Sequence, residues 1–208
     1  MMRKEKMLYV MGFTFALTFL MGVVLSFAHT STVEIVRNNE LERRQSTVLA
    51  ALGIQTESQD EVFRAYSALE HAELPSELTE DRPVYVYRAG DGTRFARQFT
   101  GPGVWGDITA VVSVDADRSR VIGVEILDHN ETPGLGGRVT SRAFLDQLSG
   151  EKIGPEGIYV AIRGPGDDIS DNSQIDGITG ASGTTRAFDR MLNRELQELR
   201  DILTDYEA

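Results

Sequence analysis

A short segment near the C terminus combines hydroxyl side chains with glycine in a pattern that suits phosphate chemistry. It reads Asp176-Gly177-Ile178-Thr179-Gly180-Ala181-Ser182-Gly183-Thr184-Thr185 and leads into a helix-forming sequence. A helix N-cap explains one of its hydroxyls, but the segment holds several more. Hydroxyls and backbone N–H groups at a positive helix end favour a phosphate ligand. The lysine of a P-loop is missing, so a ligand without a hydrolysable γ-phosphate is expected.

A second glycine-rich segment follows the end of a predicted strand. It reads His129-Asn130-Glu131-Thr132-Pro133-Gly134-Leu135-Gly136-Gly137-Arg138. Its glycines let the backbone approach a flat or bulky ligand, and a plain turn is the alternative. His129 and Glu131 are at most half of a metal site, because the sequence offers no third ligand beside them.

A third segment, Gly101-Pro102-Gly103-Val104-Trp105-Gly106, contains the single tryptophan. It matches GxGxxG formally, but a dinucleotide site needs a helix after the glycines, and a strand is predicted here. The segment is therefore either a plain turn between strands or a turn that places Trp105 beside a planar ligand.

The composition narrows the classes of chemistry. The 208 residues include no cysteine and three histidines, and the formal net charge is −11. Disulfides, cysteine-ligated iron–sulfur clusters and thiolate zinc sites are excluded. The acidic balance argues against binding to the nucleic-acid backbone, so no nucleic-acid partner is expected.

The elements that position these segments start with an apolar helix. Residues 8–28 contain no charge and would form a helix about 31 Å long, which matches the hydrocarbon thickness of a bilayer. Arg3, Lys4 and Lys6 precede it, so the positive-inside rule places residues 1–7 in the cytoplasm and the remainder outside. A cleaved signal peptide ending at Ser26-Phe27-Ala28 is the alternative.

The exported part divides into a helical region and a strand-rich region. Apolar spacing predicts helices over residues 31–75 and again over 183–203, with helix signals at 141–148. Alternating apolar residues between 83 and 130 predict an antiparallel meander, and residues 157–163 predict another strand. The expected class is α+β, an antiparallel sheet packed with helices and preceded by one transmembrane helix.

The predicted boundaries follow from these elements. They are a cytoplasmic tip at 1–7, a transmembrane anchor at 8–28, helical stalk and N-terminal helices at 29–80, and a ligand-binding domain at 81–208.

Two motifs now carry a resemblance to a known family. Asp176-x-x-Thr179-Gly180-Ala181-Ser182-x-Thr184 resembles the flavinylation motif D-x-x-[ST]-G-A-[ST]-x-T, and residues 131–136 match the ETPGLG loop of the same family. This is the FMN-binding domain family found in the C subunit of Na⁺-translocating NADH:quinone reductase and the G subunit of the Rnf complex. The single N-terminal anchor and the order of the segments also resemble this family.

The resemblance implies a covalent FMN, joined by its phosphate to Thr184 through a separate flavin transferase that uses FAD. Thr185 is the alternative acceptor. The residues that it implies around the cofactor are Thr184, Asp176, Thr179, Gly180, Ala181, Ser182, Glu131, Thr132, Leu135, Gly136 and Trp105. Leu135 is expected to pack on the flavin ring. No catalytic acid, base or nucleophile, and no metal ligand, is expected within the domain.

Three functions remain open at this point. The first is an electron-transfer subunit in a redox-driven ion-translocating complex of the bacterial inner membrane, with other membrane subunits as partners and a periplasmic C-terminal domain. The second is a stand-alone periplasmic flavoprotein that passes electrons to a reductase. The third is a non-redox ligand-binding or assembly domain, against which the intact Thr184 argues.

Overall fold

The computed structural model describes residues 2–72, 82–90, 92–161 and 172–204. Along these residues the helices and strands are α1 Met2–Ala51, α2 Gln59–Ser67, β1 Glu70–His71, β2 Val84–Ala89, β3 Gly92–Pro102, β4 Asp107–Asp115, β5 Val121–His129, α3 Arg142–Leu145, β6 Tyr159–Ala161, β7 Gln174–Asp176 and α4 Ser182–Ile202. Short 3₁₀ turns flank α3 on both sides. The chain divides into two compact units, Met1–Leu41 and Glu42–Ala208.

The first unit is the N-terminal part of α1. Its side chains from residue 6 to 41 are exposed, including the apolar ones. Thr14 and Thr18 donate their hydroxyls to the carbonyls four residues earlier, both at 2.8 Å, so these polar groups are satisfied within the helix. By length and composition α1 suits a membrane span, a property that signal sequences near an N terminus share.

One antiparallel sheet organises the second unit. Its strands lie in chain order, β1-β2-β3-β4-β5, as consecutive hairpins require. The β2–β3 connection is tight, with Ala89 paired to Gly92, and β3 pairs with β4 up to Pro102 and Asp107. The predicted α+β class with an antiparallel meander is confirmed.

The first face of the sheet packs against α4. The apolar stripe of α4 meets alternate residues of β2 to β5, which lie on that face because side chains alternate along a strand. These buried residues include Val84, Val86, Phe95, Phe99, Ile108, Val112, Phe188, Leu192, Leu196 and Leu199.

The second face packs against the end of α1 and against α2. The buried residues here are Val48, Leu49, Ala51, Leu52, Val62, Leu69, Tyr85, Ala96 and Val111. The sheet also satisfies the last carbonyls of α1, since Arg94 donates to Leu52 O at 2.7 Å and the Ser113 hydroxyl donates to Ala51 O. A Cβ on Gly123 would lie 2.7 Å from Ala51 O, so only glycine lets the helix end approach β5 this closely.

A group of charges is buried between β3 and α4. Arg97 and Glu195 are each 1% exposed, and Arg97 Nε lies 3.3 Å from Glu195 Oε1. Arg82 donates to Glu195 at 3.1 Å and to Glu198 at 3.0 Å. Burial raises the pKa of Glu195 to about 7, although the neighbouring Arg97 and Arg82 oppose this shift.

Two local expectations differ from the structure. The helical pattern predicted over residues 31–75 stops at Ser67, and Glu70–His71 pairs with β2 as β1 instead. Pairing with the exposed edge of β2 outweighs the weak helical spacing of this stretch. The strand predicted at 157–163 appears as Tyr159–Ala161, parallel to β7, and its last residues lie outside the described part of the chain.

Candidate functional site

The site forms where three connections converge. The β3–β4 turn contributes Val104 and Trp105, the segment after β5 contributes Glu131, and the start of α4 contributes Thr184. These connections are far apart in sequence, and the sheet and α4 bring them together. The three glycine-rich segments singled out in the sequence therefore meet in space.

Glu131 links the three connections through one side chain, which is buried. Its Oε1 accepts the backbone N–H of Val104 at 2.6 Å and that of Trp105 at 3.1 Å. Its Oε2 accepts the hydroxyl of Thr184 at 2.5 Å. Both carboxylate oxygens are thus held, each by a different element of the fold.

The charge of Glu131 follows from these contacts. Burial opposes its ionisation, but hydrogen bonds donated by Thr184 and by the N–H groups of Trp105 and Val104 outweigh burial. Its pKa is therefore held below the ordinary value for glutamate. Glu131 is an anion near neutral pH and acts only as a hydrogen-bond acceptor.

The two adjacent threonines face different partners. Thr185 is 1% exposed, and its hydroxyl accepts the backbone N–H of Ile178 at 3.0 Å, which fixes the turn before α4. Thr184 is 3% exposed and donates its hydroxyl to Glu131. Thr185 therefore has a structural contact within its own segment, while the Thr184 hydroxyl points towards the other two connections.

Two glycines leave the space that this arrangement needs. A Cβ on Gly136 would lie 2.5 Å from both Glu131 Oε2 and Thr184 Oγ1. A Cβ on Gly103 would overlap Glu131 Oε1 and would lie 2.6 Å from Gly106 O. Any side chain at either position would displace the carboxylate. These glycines are therefore needed because they let the backbone approach Glu131 closely, and not because they are flexible.

Exposed apolar side chains surround the start of α4. Val104 is 51% exposed, Trp105 70% and Leu135 50%. A Cβ on Gly183 would lie 2.9 Å from Val104 Cγ2, and one on Gly180 would lie 3.6 Å from Leu135 Cδ2. The two aliphatic side chains thus lie beside the loop that carries Thr184. Exposed apolar groups clustered beside a polar site are typical of ligand-binding surfaces.

The N terminus of α4 is open to an anion. Ala181 is its N-cap, and no side chain caps the helix there. The first turn contains no acidic residue. The first N–H groups of a helix have no partner within it, and they carry the positive end of its dipole.

The other predicted residues make no hydrogen bond to the Glu131 carboxylate within the described part of the chain. Thr179 and Ser182 are exposed at the surface of the turn, and Asp176 ends β7. Thr132 shapes the loop through its carbonyl, which accepts the N–H of Gly137 at 2.9 Å. Their predicted contacts with a cofactor stay predictions.

His129 and Glu131, which the sequence offers as at most half of a metal site, are hydrogen-bonded to each other. His129 Nδ1 accepts the backbone N–H of Glu131 at 3.1 Å. Among the described residues, no three His, Asp or Glu side chains form a cluster suited to a metal ion.

The sequence did not predict that Val104 belongs to the exposed apolar surface, or that Glu131 bonds Thr184. Val104 lies beside Gly183, but its type alone gives no functional signal. Its position next to the only tryptophan, in a glycine-rich turn, was the available clue.

The comparisons with known proteins agree with this geometry. Residues 103–197 match the family model described as FMN-binding domain, and this range includes both predicted motifs. The predicted resemblance to the FMN-binding domain family is therefore confirmed for this part of the chain.

Among curated proteins, the chain is similar to subunits of two kinds. It is 31% identical over 123 residues to the C subunit of the Na(+)-translocating NADH-quinone reductase of Yersinia pestis, covering 55% of this chain and 45% of that protein. It is 32% identical over 124 residues to the G subunit of the ion-translocating oxidoreductase complex of Shewanella loihica, covering 57% and 55%. The matches thus span about half the length of these relatives.

Two solved structures have the same fold. The C subunit of the Na(+)-translocating NADH-quinone reductase from Parabacteroides distasonis superposes with a TM-score of 0.68 at 22% identity, covering 83% of this chain and 97% of that one. NqrC of Shewanella oneidensis superposes with a TM-score of 0.64 at 18% identity, covering 74% and 92%.

Proposed function

We propose that this chain is a membrane-anchored electron carrier whose FMN is joined through its phosphate to the hydroxyl of Thr184. The proposal starts from the match of residues 103–197 to the FMN-binding domain family. The observation that carries it is the position of the Thr184 hydroxyl at the open N terminus of α4, beside exposed apolar side chains. When bound, the flavin supplies the redox chemistry.

The residues present suit both ends of FMN. The uncapped N terminus of α4 suits the phosphate, because its N–H groups and dipole favour an anion. Trp105, Val104 and Leu135 offer apolar surface for the isoalloxazine ring, whose burial would remove them from water. A covalent link would keep the cofactor on a domain that lies outside the cytoplasm.

Attachment at Thr184 requires access to its oxygen. Thr184 is 3% exposed, and Gly136 and Glu131 cover its hydroxyl. Glu131 is anchored to the β3–β4 turn through Val104 and Trp105, whereas the close approach of Gly136 belongs to a separate stretch of backbone. We therefore place the opening needed for attachment in residues 134–137.

The anchor and the partners extend the proposal. Residues 8–28 would cross the inner membrane once, with residues 1–7 in the cytoplasm and the domain in the periplasm. The relatives are named as subunits of Na(+)-translocating or ion-translocating complexes, so other membrane subunits are the proposed partners. A flavin transferase would load the domain. Copurification of membrane subunits supports this assignment, whereas electron transfer by the isolated chain favours a stand-alone carrier.

The test is a pair of single substitutions at adjacent positions. The chain is coexpressed with a flavin transferase and run on a denaturing gel, where covalent flavin fluoresces and mass spectrometry locates it. Wild-type chain and T185A should carry the flavin, and T184A should carry none. T185A is the matched control, because it removes a neighbouring hydroxyl that already bonds Ile178.

Two results would contradict the proposal. An unlabelled wild-type chain would remove the covalent flavin altogether. A labelled T184A together with an unlabelled T185A would move the attachment to the neighbouring residue.

A further inference from the structure

Glu131 and Thr184 form a buried hydrogen-bonded pair. A carboxylate that is 5% exposed accepts a hydrogen bond from a hydroxyl that is 3% exposed, at 2.5 Å. The helix does not need this contact for capping, because Thr184 lies in its third position and donates away from the backbone. Thr184, Val104 and Trp105 all donate hydrogen bonds to Glu131 and keep it ionised, and an ionised, fixed carboxylate beside a hydroxyl is a candidate for a chemical role.

We propose that the Glu131 carboxylate is the general base that takes the hydroxyl proton of Thr184 when a flavin phosphoryl group is transferred to that oxygen. This inference rests on the proposed function, since it concerns the same attachment at Thr184. It assigns to the acceptor chain a catalytic group for its own loading, although no acid or base was expected in the domain.

The reaction balances with a flavin dinucleotide as donor. A bond forms between Thr184 Oγ1 and the phosphorus that carries riboflavin. The bond from that phosphorus to the oxygen shared with the adenylate breaks, and AMP leaves with this oxygen. The proton of the Thr184 hydroxyl passes to Glu131 Oε2, which lies within hydrogen-bond reach of it. No atom changes oxidation state.

The geometry suits late proton transfer. Phosphoryl transfer commonly passes through a loose transition state, so the hydroxyl becomes acidic only as its bond to phosphorus forms. A weakly basic but ionised and fixed carboxylate then serves well, because Val104 and Trp105 hold Oε1 and direct Oε2 to the hydroxyl. Proton uptake would also neutralise Glu131 beside the new phosphodiester and so remove a like-charge repulsion.

The neighbouring hydroxyl provides an internal contrast. Thr185 Oγ1 accepts an N–H from Ile178, and among the described residues it forms no hydrogen bond with a carboxylate. One of two adjacent threonines thus has a proton acceptor and the other does not. The proposal therefore also explains the choice of Thr184 over Thr185.

The test measures the rate of flavin attachment to the full-length chain in detergent, with purified flavin transferase and FAD. Labelling is followed by the mass of the peptide that contains Thr184. E131Q keeps the size of the side chain and can still accept the N–H groups of Val104 and Trp105, but it cannot take a proton. D128N is the matched control, because it removes a nearby carboxylate that is 68% exposed and pairs at 3.8 Å with Arg43.

E131Q should label about 100-fold more slowly than the wild type, the lower end of the usual contribution of a general base. D128N should label at the wild-type rate. The ratio of wild-type to E131Q rates cancels the pH dependence of the transferase, and it should fall as pH rises because hydroxide replaces the missing base. Formate should restore labelling of E131A by filling the space of the lost carboxylate.

Each outcome decides a separate point. E131Q labelling within about threefold of the wild type, or a rate ratio that is independent of pH, would overturn the role of Glu131 while leaving the covalent flavin intact. If E131Q fails to fold, as judged by far-UV circular dichroism, formate rescue of E131A supports the role and its absence overturns it. An unlabelled wild-type chain overturns the proposed function and this inference together.

Discussion

Replacing Gly136 by alanine should destabilise the domain through a single close contact. The new Cβ would lie 2.5 Å from Glu131 Oε2 and from Thr184 Oγ1, and 3.1 Å from Glu131 Cβ. Both oxygens are held in place, since Glu131 bonds two backbone N–H groups and Thr184 is part of α4. The collision must therefore break the bond between Thr184 and Glu131 or displace the loop.

The expected cost is about 2–4 kcal/mol. Overpacking a filled site costs about 1–3 kcal/mol, and losing a hydrogen bond to a charged group costs about 1.5–3 kcal/mol. The reduced entropy of the unfolded chain returns about 0.4–1 kcal/mol. In a domain of this size, this corresponds to a melting temperature lower by about 5–10 °C.

The assay is thermal unfolding of the full chain in detergent, followed by far-UV circular dichroism. Gly183→Ala is the matched control at the same site, because its Cβ would meet only the exposed end of Val104 at 2.9 Å, which can turn away. Gly90→Ala has open space and should change stability by less than about 0.5 kcal/mol. If Gly136→Ala had the same melting temperature as these controls, the close contact of Glu131 and Thr184 would be refuted.

Three further predictions concern the core. Arg97→Ala should cost about 3 kcal/mol in urea unfolding because it removes the buried partner of Glu195 and leaves only the partly exposed Arg82 beside it. Arg88→Ala breaks an exposed ion pair and should cost less than about 1 kcal/mol, and similar values for the two variants would contradict the buried pair. Gly123→Ala should cost about 1–3 kcal/mol in the same measurement, since its Cβ would meet Ala51 O at 2.7 Å, and an unchanged midpoint would refute this packing. The raised pKa of Glu195 means that the folded state holds an extra proton between about pH 4.5 and 7. The free energy of unfolding should therefore fall as pH rises through this window, by up to about 1.4 kcal/mol per pH unit. The melting temperature of Glu195→Gln should lack this decline, and identical pH profiles for the variant and the wild type would contradict the raised pKa.

Local patterns predicted most of the fold. The alternation of apolar residues along β4 and β5 and the three- and four-residue spacing in α4 both correspond to elements of the structure. These patterns work because one face of each element is buried. The strand Glu70–His71 was missed, because a two-residue strand depends on its partner β2 rather than on its own sequence.

The site was only partly predictable. Thr184 and Glu131 came from motifs, but 53 residues separate them, and no local pattern predicts their hydrogen bond. Alternation places Arg97 on the buried face of β3 with Phe95 and Phe99, but nothing in the local pattern indicates that its partner is Glu195 of α4. Both contacts depend on long-range packing, which spacing along the chain does not encode.

The last turns of α1 limit where the chain can be cut. Val48, Leu49 and Leu52 are fully buried, and they lie within the second compact unit. A form released by cleavage near residue 41 would keep them. A form that began near residue 55 would lose apolar burial worth roughly 5–9 kcal/mol at about 1.5–3 kcal/mol per side chain, comparable to the whole stability of a domain. Any version of this protein without the candidate membrane span must therefore retain the last turns of the same helix.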